Sequence, residues 1–219
     1  MSERLPPPSS ARVKAAVPAP ADLVRLEAGT RLFRMHPLGG PRPVWWNEWR
    51  HWGPTTSRFD QHTPPPREQA RGIAYLTCGP TAFPAVVAEY FQDDSGAGVG
   101  PVDLRLGRPT VTVFELATDL LLLDLDGGWP TRAGGNQAIG TGPRGRSRHW
   151  ARVIYTHHRR IISGLAYPSS VWGPGRCVAL WETAVASLPD RPLVTRSLDD
   201  PALAPALGAA AVTLNTFVV

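Results

Sequence analysis

The residues best suited to chemistry stand between residues 57 and 91, where an arginine, a tyrosine and a glutamate follow one another. Arg58 lies in a polar, proline-containing stretch, Tyr75 in the segment GIAYLT, and Glu89 in the segment AFPAVVAEYF, where it is the only charged residue. A helix that is apolar on nearly all sides is usually buried, and a buried ionised carboxylate is costly unless a cation or a ligand compensates it. Two interpretations stay open: a carboxylate that is partly exposed or paired with a structural arginine, or one that faces a ligand in a cleft.

Two regular elements are predicted to position the tyrosine and the glutamate. The apolar alternation of residues 72–77 predicts a β-strand with Ile73 and Tyr75 on one face. A Gly-Pro pair ends this strand, and Thr81 is a suitable N-cap for a helix that begins directly after it. Glu89 then lies near the end of the helix, one turn beyond aliphatic side chains.

The order and the surroundings of these residues resemble the RES-domain family, which is named for its arginine, glutamate and serine. SRFD around Arg58, GIAYLT around Tyr75 and AVVAEYF around Glu89 are similar to short motifs of that family. LFRMH supplies Arg34 where the family has an early arginine, and GLAYPSS, residues 164–170, is similar to the family's serine-bearing strand.

The similarity extends from about residue 32 to residue 182 and carries expectations about function. Members of the family include NAD-consuming toxins of bacterial toxin–antitoxin pairs, and they are distantly similar to ADP-ribosyltransferases. The resemblance implies an enzyme that cleaves the nicotinamide–ribose bond of NAD, as a glycohydrolase or a phosphorylase, and acts as a toxin. It also implies one compact catalytic domain, residues 23–219, with a mixed, mostly antiparallel sheet flanked by helices. By analogy it implies a cognate antitoxin of the Xre type as a partner, although a stand-alone enzyme stays an alternative.

Carried onto this sequence, the resemblance implies roles for four side chains. Cleavage of the nicotinamide–ribose bond leaves an oxocarbenium-like centre. The Glu89 carboxylate would stabilise that centre, hydrogen-bond the ribose and orient the attacking group. Arg34 and Arg58 would bind the pyrophosphate through paired hydrogen bonds. Tyr75 would stack on the nicotinamide ring and hold its angle.

The family's serine is assigned to Ser169, with Ser170 as the alternative, and would hydrogen-bond the ribose or the nicotinamide amide. Nicotinamide departs from a cationic pyridinium as a neutral molecule, so the reaction requires no second carboxylate as an acid. No metal is expected either, and the histidines show no metal-ligand pattern. The substrate NAD is the only small molecule that the resemblance implies.

Two other functions remain alternatives at this point. The first is transfer of ADP-ribose to a protein or a nucleic acid, and the second is a nucleotide- or nucleic-acid-binding module without catalysis. The residues do not decide whether water, phosphate or a macromolecule is the acceptor, or whether NADP is also used. They also leave open the oligomeric state, a homo-oligomer included, and whether the Gly-rich segment 133–146 contacts a ligand.

The charge of the chain argues against a dedicated nucleic-acid surface. The net charge is +5, yet Lys14 is the only lysine, so arginine supplies 22 of the 23 basic residues. An arginine bias of this kind, together with abundant Ala, Gly and Pro, is typical of genome-wide composition, and the arginines are scattered. The densest groups, residues 144–152 and 157–160, could still contact an acidic partner or phosphates.

Cysteine content and hydropathy favour a cytoplasmic protein without a membrane span. No run of about 18 apolar residues occurs, and the first ten residues lack the basic and apolar regions of a signal peptide. Cys78 and Cys177 have neither a disulfide framework nor zinc-site spacing, so both are predicted to be buried core residues.

Short strands mixed with a few helices, without regular βαβ alternation, predict an α+β fold. Residues 1–22 are rich in proline and alanine and predict an arm that is flexible or loosely docked. The next residues predict a short helix and then a strand. Residues 92–100 predict a polar loop, residues 133–146 a surface loop, and residues 201–219 a helix followed by a last strand.

Overall fold

The computed structural model describes residues 5–93 and 98–219, which form an α+β domain around one large β-sheet. The predicted α+β class is therefore confirmed. Residues 1–4 of the predicted arm and residues 94–97 of the predicted polar loop lie outside the described ranges.

Nine strands form the sheet, and the described ranges also contain six α-helices. The strands are β1 (Leu23–Leu26), β2 (Arg31–Pro37), β3 (Arg50–Gly53), β4 (Arg67–Cys78), β5 (Pro109–Glu115), β6 (Leu120–Asp124), β7 (Gly164–Pro168), β8 (Arg176–Trp181) and β9 (Val194–Ser197). The helices are α1 (Ser10–Ala15), α2 (Ala82–Tyr90), α3 (Trp129–Arg132), α4 (Ala138–Thr141), α5 (Arg144–His158) and α6 (Ala204–Leu214).

The sheet runs in the order β1-β6-β7-β8-β4-β2-β5-β9, and β3 adds a further pairing on β4. Every pair is antiparallel except β6 with β7, so the sheet is mixed and mostly antiparallel. β4 is the longest strand, with 12 residues, and its alternation agrees with the prediction from the sequence. Ile73 and Tyr75 belong to one hydrophobic cluster, and Ala74 and Leu76 belong to the cluster on the other face.

Apolar side chains cover both faces of the sheet. On the Tyr75 face, one cluster packs α5 and its neighbours on the sheet through the fully buried rings of Trp129, Trp150 and Trp181. A second cluster on this face holds α2 and α6 against β2 and β5. The opposite face buries residues such as Leu32 and Phe114. The site described below is thus built on strands that are held from both sides.

Residues 5–22 pack against the domain, so of the two predicted alternatives the arm is docked and not flexible. Leu5 and Val13 are buried in the core, and Val13 lies in α1, whose N-cap is Ser9. The α5 residue Trp150 donates its ring N–H to the carbonyl of Pro6 at 2.9 Å. Two further backbone carbonyls of the segment bond to Trp129 and His158. Composition alone left both alternatives open because the docking partners lie more than 100 residues later in the chain.

Three further segments differ from their predicted structure. Residues 23–26 form β1 and not a helix, and they pair with the apolar β6. The Gly-rich segment 133–146 contains α4 and the start of α5, where a loop was predicted. Residues 212–214, predicted as the start of a strand, continue α6, and only an isolated bridge forms at Val218. In the described part of the chain, no helix has the length and apolarity needed to cross a membrane.

Candidate functional site

The candidate site is a cleft of about 320 Å³ at the point where β2 and β4 separate. β2 pairs with β4 only through Leu32–Cys78 and Phe33–Thr77, and β3 pairs with β4 from Ile73 toward its beginning. Between these two pairings, that edge of β4 has no strand partner among the described residues. The backbone there borders the cleft, and α2, the start of α5 and the end of β7 complete its walls.

Glu89 projects from the last turn of α2 into this cleft. The side chain is half-buried, and the apolar residues of the same helix, such as Val86 and Val87, are buried against the domain. Its carboxylate accepts a hydrogen bond from the Ser169 hydroxyl at 2.6 Å. Of the two interpretations that the sequence left open, the geometry favours the carboxylate that faces a cleft.

The two serines after β7 occupy different positions. Ser169 is buried, and its hydroxyl oxygen also accepts hydrogen bonds from the backbone N–H groups of Val171 and Trp172. The Ser169 hydroxyl donates its hydrogen to Glu89. Ser169 therefore orients the carboxylate but does not itself line the cleft. Ser170 lines the cleft and lies 3.4 Å from Nη2 of Arg58. The structure thus brings both predicted serines to the site, with only Ser170 on its surface.

Arg58 lines the cleft beside Glu89 and is held by the Gly-rich segment. Its Nη1 donates to the backbone carbonyl of Gly142 and lies 3.5 Å from the hydroxyl of Ser147. Burial and the neighbouring Arg144 lower the pKa of the Arg58 guanidinium, and Glu89 opposes this shift. Arg144, the first residue of α5, is itself held by the side chain of Gln92 and also lines the cleft.

Arg34 is more deeply buried than the other arginines of the cleft. Its Nη1 donates to the backbone carbonyl of Trp46, a residue that caps the core on the other face of the sheet. Burial lowers the pKa of Arg34 to about 10, so it stays charged at neutral pH. Burial and Arg34 together lower the pKa of His36 to about 4. His36 is therefore neutral, held between the Val44 carbonyl and the Thr112 hydroxyl.

Two tyrosines form an aromatic wall of the cleft. Tyr75 is half-buried on β4, and its hydroxyl oxygen is buried without a hydrogen-bond partner among the described residues. Ser57 and the backbone of Phe59 are close enough to influence its pKa, but neither has acceptable hydrogen-bond geometry. Burial raises the pKa of Tyr75, so the phenol is neutral. Tyr167 on β7 packs against Phe59 with ring centroids 4.4 Å apart.

Two arginines of the cleft were not identified from the sequence. Arg42 stacks on the ring of Trp52, with 4.0 Å between its guanidinium carbon and the ring centroid. Arg50 lies on β3 and pairs with the buried Asp60 at 3.0 Å. Both lie within residues 37–53, a tryptophan-rich stretch that the sequence predicts to be a loop. Nothing in that pattern indicates that its arginines face a site. Arg144 was noted only as part of a basic group.

The charge balance of the cleft is strongly cationic. Among the described residues that line it, five are arginines and Glu89 is the only carboxylate. Arginine binds phosphate oxygens through two parallel hydrogen bonds. An electropositive cleft with one hydroxyl-held carboxylate is suited to an anionic substrate whose reacting centre becomes positive.

The two cysteines differ in position, since Cys177 lies beside Glu89 and Ser169. Cys78 and Cys177 are buried, as predicted, and burial raises the pKa of both thiols. For Cys177 the charge of Glu89 adds to this effect. Neither thiol is thus prepared as a nucleophile. Within residues 5–93 and 98–219, no group of three or more His, Cys, Asp or Glu side chains is arranged to hold a metal ion.

Comparisons with protein-family models, with curated proteins and with solved structures gave no match to this chain.

Proposed function

We propose that this protein is an NAD-degrading enzyme that cleaves the bond between nicotinamide and ribose, as a glycohydrolase or a phosphorylase. The observation that carries the proposal is one carboxylate, Glu89, held by a serine in a cleft whose other charged residues, among those described, are arginines. The cleft supplies what such a reaction needs: cations for a diphosphate, an aromatic wall for a flat ring, and one negative group for the developing positive charge.

Glu89 is the proposed catalytic residue. When the bond to nicotinamide breaks, positive charge develops on the ribose ring, and a carboxylate beside it lowers the energy of that state. Ser169 donates to one carboxylate oxygen at 2.6 Å, which leaves the other oxygen for the ribose hydroxyls or for the attacking water or phosphate. The neutral nicotinamide leaves without needing a proton.

The arginines are proposed to bind the substrate's diphosphate. Arg58 is held by the Gly142 carbonyl, which leaves part of its guanidinium directed toward Ser170 and the cleft. Arg144 stands next to it and adds a second positive charge. Tyr75 and Tyr167 line the cleft, and the faces of their rings are proposed to contact the nicotinamide ring.

The resemblance to RES-domain proteins supports the same proposal from the sequence side. Arg34, Arg58, Tyr75 and Glu89 line one cleft, and Ser169 bonds to Glu89, so the motif residues lie together in space. We extend the proposal to a toxin role, in which depletion of NAD would arrest the producing cell unless a partner protein blocks the cleft.

The test is nicotinamide release from NAD by the purified protein, with and without inorganic phosphate. We expect release by the native protein and a loss of about 100- to 10,000-fold in kcat for Glu89→Gln. Glu115→Gln is the matched control, because this exposed carboxylate pairs with the exposed Arg31 and lies outside the cleft. Its rate should equal that of the native protein.

Each outcome has a distinct meaning. No nicotinamide release by the folded native protein, with or without phosphate, would refute the proposed function. Release that survives Glu89→Gln would keep the activity and refute the catalytic assignment. Transfer of label from adenylate-labelled NAD onto a protein or nucleic acid would identify an ADP-ribosyltransferase. A requirement for phosphate would assign a phosphorylase.

A further inference from the structure

Arg50 lies on the same face of the sheet as Tyr75, at one wall of the cleft. It is directly opposite Ile73 in the β3–β4 pairing. Directly opposed residues of antiparallel strands share a face, and residues two apart on one strand share it as well. Arg50 is therefore the diagonal neighbour of Tyr75, and its charge influences the pKa of the Tyr75 hydroxyl.

A fully buried acid, Asp60, fixes the orientation of Arg50. One Asp60 oxygen lies 3.0 Å from Nη1 of Arg50 and accepts hydrogen bonds from the backbone N–H and hydroxyl of Thr55. The other oxygen accepts from the backbone and ring N–H groups of His62, which is also fully buried. Burial alone would raise the pKa of Asp60, but His62 and Arg50 outweigh it and keep the carboxylate ionised.

Only one of the two terminal nitrogens of the Arg50 guanidinium therefore has hydrogen-bond partners among the described residues. Nη1 is engaged by Asp60 and by the Trp52 carbonyl, whereas Nη2 is buried without a hydrogen-bond partner among the described residues. The Tyr75 hydroxyl is buried and unpartnered in the same way. Two donors that are neighbours on one wall of the cleft, both without an acceptor, are placed for the oxygen atoms of a ligand.

We propose that Arg50 and Tyr75 form a second anion subsite of the cleft, which takes a phosphate group of the nucleotide, and that Asp60 is its positioning residue. Phosphate fits this pair because it offers several acceptor oxygens and full negative charge to a guanidinium that is already oriented. The Arg58 and Arg144 pair beside Glu89 would hold another phosphate group. This inference rests on the proposed function, because it assumes that the ligand is a dinucleotide.

The phosphate has two possible sources, which small probes distinguish. ADP carries the diphosphate that NAD and NADP share, and 2′-AMP carries the phosphate that only NADP has. Adenosine is the matched compound without phosphate. Calorimetric titration of the native chain with each probe measures what a phosphate adds to affinity, and it requires no turnover.

Arg50→Lys is the central variant, because it keeps the positive charge opposite the buried Asp60 and removes the fork. We expect it to weaken binding of ADP, of 2′-AMP or of both by about 10- to 100-fold, with adenosine binding unchanged. Tyr75→Phe should weaken the same probe by a smaller factor. Arg31→Lys makes the same change at an exposed arginine outside the cleft, so it is the matched control and should bind as the native chain does.

Asp60→Asn tests the positioning role through a double-mutant cycle with Arg50→Lys. If Asp60 acts through Arg50, the two losses of probe affinity should not add. In the Arg50→Lys variant there is no guanidinium whose orientation Asp60 could fix, so Asp60→Asn should cause little further loss. Full additivity would remove the positioning role. If Asp60→Asn does not fold, Arg50→Lys and Tyr75→Phe still test the subsite, since both keep the buried carboxylate compensated.

The outcomes separate this inference from the proposed function. A loss of ADP affinity in Arg50→Lys assigns the subsite to the diphosphate, and a loss of 2′-AMP affinity assigns it to the phosphate of NADP. Unchanged affinity for both probes in Arg50→Lys would overturn the inference, and so would native affinities for ADP and 2′-AMP that both equal the affinity for adenosine. Loss of probe binding in Arg50→Lys, combined with no nicotinamide release by the native protein, would keep the subsite and reject the enzyme.

Discussion

Tyr75→Phe is predicted to make the free protein more stable and its ligand complex weaker. The change removes one hydroxyl and keeps the aromatic ring, which packs against the hydrophobic cluster on that face of the sheet. Because the Tyr75 oxygen is buried without a hydrogen-bond partner among the described residues, the native chain bears the cost of a desolvated polar group. A ligand that supplies an acceptor would cancel this cost, so the hydroxyl serves binding at the expense of stability.

The size of the effect follows from the hydrogen-bond inventory of the site. An unsatisfied buried polar group costs about 1–3 kcal/mol. The small volume that the hydroxyl vacates offsets part of the gain, which leaves a stabilisation of about 1 kcal/mol. For a chain of this size, that corresponds to a rise in Tm of about 2–4 °C.

Thermal unfolding followed by circular dichroism measures this shift, and Tyr155→Phe provides the matched control. The Tyr155 hydroxyl donates to the carboxylate of Glu182 outside the cleft. Removing it deletes a bond to a charged group, worth about 1.5–3 kcal/mol, so this Tm should fall by about 3–10 °C. The same chemical change should thus act in opposite directions at the two tyrosines.

A lower Tm for Tyr75→Phe would refute this reasoning, because it would show that the hydroxyl has a stabilising partner in the free protein. A raised Tm with unchanged affinity for ADP and 2′-AMP would confirm the orphaned hydroxyl but exclude it from the anion subsite.

Three other predictions follow from the structure. Ser169→Ala should lower kcat by about 10-fold, because Glu89 loses its orienting hydrogen bond. Ser170→Ala should mainly raise KM. If the two variants changed kcat and KM in the same way, these separate roles would be contradicted. Burial lowers the pKa of His36 to about 4, whereas an exposed histidine has a pKa of 6.5. As pH decreases, the unfolded chain therefore binds the proton first, and the free energy of unfolding should fall between about pH 6.5 and pH 4. Urea unfolding of His36→Gln should show a weaker pH dependence of this free energy, and an unchanged pH dependence would exclude His36 as its cause. Val13→Ala should reduce the free energy of unfolding by about 2 kcal/mol because Val13 is fully buried, and no change in the urea midpoint would show that the N-terminal segment does not support the domain.

Local pattern was sufficient for the elements that carry Tyr75 and Glu89. The alternation of residues 72–77 indicated a strand and its two faces, and the apolar segment after Thr81 indicated a helix, because both signals are contained in one stretch of chain. The burial of Cys78 and Cys177 was predicted for the same reason. The α+β class followed from the mixture of such segments.

Pairings between distant segments were beyond the reach of local pattern. Arg50 lies in a strand because β4 is long enough to pair with it. Asp60, a loop residue, orients the Arg50 side chain by pairing with it. Val13 is buried because α1 packs against α5, which begins more than 100 residues later in the chain. Their composition predicted a loop and an arm, because the residues that order these segments lie far away in the sequence.

The excess of arginines over carboxylates in the cleft has a consequence for turnover. Under the proposed reaction, nicotinamide departs as a neutral molecule, and the positive charge left on the ribose is lost when water, which gives up a proton, or phosphate adds to it. The ADP-ribose that remains keeps every phosphate and has no positive charge. A cationic cleft therefore attracts the product more strongly than the substrate. Escape of ADP-ribose, and not bond cleavage, would then set the steady-state rate. Such an enzyme would show a burst of nicotinamide followed by slow cycling, and it would be restrained by its own product as cellular NAD runs down.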